Sequence, residues 1–104
     1  MSRQRIVAIA NQMLDETIGI VEGSIAICRA RPGLADKDLQ AEVLFPFIAF
    51  ESELHDFPIG QERQHWNERA LKVKDLRLNE IVAAARTEIL EACRTLVAHW
   101  SMHH

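Results

Sequence analysis

The last third of the chain carries the feature that most constrains the fold. Leu71, Leu78, Val82, Ala85, Ile89, Cys93, Leu96 and Trp100 recur at three- and four-residue steps, and Ile81, Leu90 and Val97 widen the stripe. That spacing puts them on one side of a continuous helix over about 68–101, with Asn67 as its N-cap. At about 1.5 Å per residue such a helix spans roughly 50 Å, more than a chain of this size needs for one core. Part of its apolar stripe is therefore available for burial against a second copy. The remaining segments must pack along this rod.

Residues 3–31 repeat the pattern. Ile6, Ile9, Ala10, Met13, Thr17, Ile20, Ser24, Ile27 and Cys28 form one stripe, with Val7, Leu14, Ile18, Val21 and Ile25 beside it. Gly19 and Gly23 fall on the opposite side, so either a second helix approaches them closely or the helix breaks near Asp15–Gly19. A break is expected, giving one helix to about 15 and another over 17–31, stopped by Pro32-Gly33. Asp36 is a candidate N-cap. Over 43–54, Val43, Phe47, Phe50 and Leu54 share a helical face, and Pro46 must open a new turn or kink the helix. A buried strand over 43–50 fits the same apolar run but has nothing to pair with. Phe57-Pro58-Ile59-Gly60 reads as extended chain entering a turn. The expected fold is all-α: an antiparallel bundle of about four helices in a single domain, with a structured loop at 55–67.

Composition narrows the function classes. The 104 residues are 48% hydrophobic and 26% charged, ordinary for one folded domain. A net charge of −3 argues against nonspecific nucleic-acid binding, which requires a basic face. The charge is uneven: 36–56 holds six acids and one lysine, whereas 57–77 holds five bases and three acids. No stretch approaches the about 20 apolar residues of a membrane span, and no leader peptide is read at the start, so a cytoplasmic protein is expected. Cys28 and Cys93 lie far apart without a CxxC, which reads as two buried thiols in a reducing compartment.

Chemistry-bearing residues concentrate over 51–75. Asp75 falls on the apolar stripe of the last helix, between Leu71 and Leu78, and a carboxylate there needs a partner. Arg63 is the candidate, an ion pair that would pin the 55–67 loop. Glu51, Glu53 and Asp56 on one side, with Arg63, His65 and Trp66 on the other, have the make-up of a protein-docking surface, aromatic anchors ringed by charge. Phe45 and Phe57 either belong to that surface or cap the open end of the bundle. Metal chemistry has weaker support. Glu62-x-x-His65 is half of a di-iron motif, and Glu51/His55 and His99/His103 are pairs at i, i+4. No metal or cofactor is expected from single matches. Nucleophilic catalysis has no motif: there is no G-x-S-x-G, and His99 points away from Cys93 around the helix.

The order Gly19-Ile20-Val21-Glu22-Gly23, Phe50-Glu51-Ser52-Glu53, Phe57-Pro58-Ile59-Gly60, Arg63, Trp66 and Lys74-Asp75 resembles a family of short bacterial helical proteins of unassigned function. Small acidic helical chains of this kind are also similar to immunity proteins, which cover the active site of a toxin. That likeness implies a non-enzymatic bacterial protein that binds a more basic partner such as a toxin. A metal- or small-ligand-binding enzyme built on Glu51, His55, Glu62, His65 and Asp75 is the alternative, and a homodimer on the long helix a third reading.

Overall fold

The structure is a computed structural model and describes residues 3–57 and 65–101. These are helical almost throughout, with no strand among the described residues. Five α-helices follow in chain order: α1 (Arg3–Leu14), α2 (Ile20–Ala30), α3 (Asp36–Leu39), α4 (Phe45–Glu53) and α5 (Glu68–Ser101). Short 3-10 turns at Arg31–Gly33, Glu42–Leu44 and Leu54–Asp56 join or extend them.

The break in the N-terminal stripe falls where expected. Thr17 N–H donates to the Gln12 carbonyl and Glu16 N–H to that of Met13, the paired bonds of a Schellman ending. Glu16 takes the left-handed position at φ 63°, where glycine is usual. The stripe itself continues across the break: Ile6, Ile9, Ala10 and Met13 of α1 and Ile20, Ser24 and Ile27 of α2 are all buried. Gly23 departs from its expected place on the outer side. It is buried against Met13, so the helix break and the close approach both occur.

Helix α5 is the spine. Asn67 caps it, with Ala70 N–H donating to Asn67 Oδ1 at 2.8 Å. Arg3 lies over the Trp100 ring, Cys93 Sγ meets Met13 Sδ at 3.7 Å, and Glu16 pairs with Arg86. Later residues of α1 thus meet earlier residues of α5, and the two helices run in opposite directions. Helix α2 packs on α1 and α4, and α4 also reaches α5. Pro46 sits in the first turn of α4, where a missing amide costs nothing, and Leu44, Phe47, Phe50 and Leu54 enter the core. Helix α3 is a single turn that the apolar pattern does not announce.

The molecule measures 50 × 24 × 21 Å, and its long axis matches the length of α5. Full burial along α5 is confined to Ile89, Ala92, Cys93, Leu96 and Trp100. Leu78, Ile81, Val82 and Ala85 lie half-buried against the core. The first turns, residues 68–77, extend beyond it, with Val73 64% and Leu76 66% exposed.

Candidate functional site

Helix α4 is divided by its own packing. With Phe47 and Phe50 turned into the core, Phe45, Ala49, Ser52 and Glu53 face outward, as residues at i, i+4, i+7 and i+8 must. Phe45 is 50% exposed. Glu51 sits half-buried at the edge, and His55 Nε2 lies 2.7 Å from Glu51 Oε1, donating to the carboxylate. The i, i+4 pair noted in the sequence is thus joined directly to itself. Phe57 is 6% exposed, a buried side chain rather than part of a docking surface.

Lys74 closes this end of the molecule. Its Nζ lies 5.3 Å from the Phe57 ring centre and 5.8 Å from that of Trp66, so one cation on α5 holds an aromatic from each side of the 58–64 connection. Trp66 remains 38% exposed, and His65 and Glu53 are exposed. Asp75 is half-buried on α5, consistent with its place on the stripe. Arg63 and Glu62 lie outside the described residues, as do the Asp56 side chain and His103. The Arg63–Asp75 ion pair and the Glu62-x-x-His65 motif therefore lie outside them too. Among the described residues, no group of three or more His, Cys, Asp or Glu side chains is arranged to hold a metal ion.

Between α2 and α4 the fold leaves a cleft of about 500 Å³, lined by Cys28, Arg29, Arg31, Glu51, His55 and Phe57 among others. It brings a thiol, an imidazole and a carboxylate to one hollow, a grouping that sequence spacing did not reveal. The thiol is not activated. Burial raises the Cys28 pKa to about 11, Glu51 adds to the rise, and Arg31 opposes it. Cys28 Sγ donates to the Phe47 carbonyl at 3.6 Å, and Arg31 Nε donates to the Leu39 carbonyl. Cys93 is likewise raised to about 11, chiefly by burial. Both thiols stay protonated at neutral pH.

The other end carries a feature absent from the sequence reading. Arg3 donates from Nε and Nη2 to both oxygens of Asp38, at 3.0 and 2.7 Å, while its guanidinium lies 5.2 Å from the Trp100 ring centre. This clasp ties α1, α3 and the end of α5 together. The hydrogen bonds from Arg3 hold the Asp38 carboxyl below its usual range against the opposing effect of burial, and the Asp38 carboxylate raises the arginine. Beside it lies a larger hollow of about 680 Å³ that Lys37, Glu42 and His99 also line.

A family model matches residues 2–96, nearly the whole helical body. The chain belongs to the DUF2489 family, described as a protein of unknown function. No curated protein and no solved structure matches the chain. The family membership agrees with the expected kinship to proteins of unassigned function.

Proposed function

We propose that this DUF2489 chain is a non-enzymatic protein-binding module of bacterial immunity or regulatory type, cytoplasmic and built as an antiparallel helical bundle. Glu51, Glu53 and Asp56, with Arg63, His65 and Trp66, form the surface that meets a more basic protein, such as a toxin. The observation carrying this reading is Trp66. It stays exposed while Lys74 holds it in place, and the end of α4 with its acids leads into Phe57 on the other side of the same lysine. A large, partly exposed aromatic beside charge is a common anchor of a protein interface. Complementary charge would then set the association rate.

Capture experiments at graded salt test this, comparing wild type with a Glu53→Lys/Trp66→Ala variant. A partner retained at low salt, released at high salt and lost with the variant supports docking. A partner retained equally by both proteins contradicts it.

The cleft holding Glu51, His55 and Cys28 favours a second reading, a small-ligand-binding enzyme; its metal-dependent form has less support, because Glu51 and His55 bond each other and no group of three metal-binding side chains forms among the described residues. Elemental analysis of untagged protein, with a His55→Ala control, separates the two. Metal near one per chain that falls in the control supports the second reading, and metal well below that removes its metal form.

A further inference from the structure

The exposed start of α5 differs in character from the acidic end of α4. Arg69, Val73 and Leu76 follow one another at i, i+4 and i+7, so they share a face, and Lys72 and Arg77 flank it. All five side chains are exposed. Among the described residues no ion pair takes up Arg69, Lys72 or Arg77. The result is an apolar pair rimmed by three cations, with exposed Glu80 one turn beyond Leu76, on the part of the helix that outruns the core.

The outward face of α4 is its counterpart in charge. Phe45 and Ala49 are exposed, with exposed Glu42 one 3-10 turn before them and exposed Glu53 after them. This is an apolar centre flanked by two acids, with Lys37 lining the same hollow as Glu42. The same chain therefore carries two exposed apolar patches whose rims have opposite sign, and neither rim is neutralised by the other within the described ion pairs.

We infer that a second copy of this chain is the occupant of the α5 start: Val73 and Leu76 of one copy pack against Phe45 and Ala49 of the other, with Arg69 and Arg77 facing Glu42 and Glu53. The pairing is reciprocal: each copy offers both patches, and two symmetric contacts bury twice the area of one, towards the about 800 Å² per partner that a stable interface buries. An anionic bilayer fits less well, since the molecule as a whole carries −3 and offers only two aliphatic side chains here. The inference shares Glu53 with the docking reading but concerns a different occupant, a second copy of the chain rather than a more basic protein.

Charge exchange tests it by sedimentation at about 10 to about 500 µM protein. Salt is set at about 0.1 M and about 1 M, where the screening length falls from about 10 to about 3 Å. Wild type is expected to dimerise at low salt and to dissociate at least about tenfold more readily at high salt. Arg69→Glu/Arg77→Glu and Glu42→Lys/Glu53→Lys should each be monomeric, with helical circular dichroism retained. The fourfold variant carrying all these exchanges should dimerise again. A wild-type monomer at every concentration overturns the inference, as does a dimer indifferent to the exchanges, an assembly that grows beyond two, or a fourfold variant that fails to recover. Binding of a wild-type monomer to vesicles containing anionic lipid would overturn it in favour of a membrane. A monomer leaves the docking reading intact, because that reading is measured by salt-dependent capture of a different protein.

Discussion

Gly23 lies so close to Met13 that an added Cβ would overlap Met13 Cγ and Sδ. Met13 cannot swing aside freely, being 1% exposed and in contact with Cys93 as well. Gly23→Ala should therefore destabilise the fold by about 1–3 kcal/mol despite the better helix propensity of alanine. Shortening Met13 in the same chain should recover part of that loss, a coupling measurable by denaturant titration of the double-mutant cycle. Ser24 makes the opposite case. Its Oγ is buried with no hydrogen-bond partner among the described residues, so the hydroxyl is desolvated without return. Ser24→Ala should leave stability unchanged or raise it by about 1 kcal/mol, and a clear loss in urea unfolding would show that the hydroxyl has a partner. The sequence pattern placed Ser24 on the buried stripe correctly, because i, i+3, i+4 spacing reports direction around a helix. It misplaced Gly23, because glycine has no side chain to weigh in a pattern and its role depends on what approaches it.

Elements made of regular repeats were legible, and those fixed by distant contacts were not. The extent of α5 and its Asn67 cap follow from local chemistry, as does the start of α4 at Pro46. The single turn of α3 has too few residues for a period, and its anchor Asp38 meets Arg3 across 35 positions of chain. Neither residue carries a local signal of the other. Phe57 is buried through contacts its apolar neighbours do not announce. The Arg3–Asp38 clasp has a pH signature. Because the folded carboxyl titrates below its usual value, the contribution is complete above the ordinary aspartate range near pH 4. It disappears as pH falls through the lowered folded value. Thermal melts of wild type and Asp38→Asn should differ most near neutrality and converge in strong acid; a constant gap across that range would contradict the assignment. At the opposite end, Lys74→Gln should cost about 1 kcal/mol through loss of contact with Phe57 and Trp66, and Lys74→Arg should retain most of it. Fluorescence of Trp66 should shift in the first variant.

On the scale of the whole molecule, stability and display are separated along α5. Its later turns, from Ile89 to Trp100, complete the core, while residues 68–77 extend outward with their charge and apolar surface exposed. The uneven charge visible in the sequence, acidic over 36–56 and basic over 57–77, becomes two differently rimmed surfaces once the chain folds. Which elements would be buried was readable from periodicity. Which exposed side chains act together was not, because that depends on how α4 and α5 are set against each other.

The docking claim turns on whether Trp66 and Glu53 are functional contacts or ordinary surface. Purified wild type and Glu53→Lys/Trp66→Ala, both verified as folded, should be compared for capture of a basic protein at about 0.1 M and about 1 M salt. The account predicts capture by wild type at the lower salt only, reduced at least about tenfold in the variant. Equal capture by the two proteins, or binding that salt does not weaken, would contradict it.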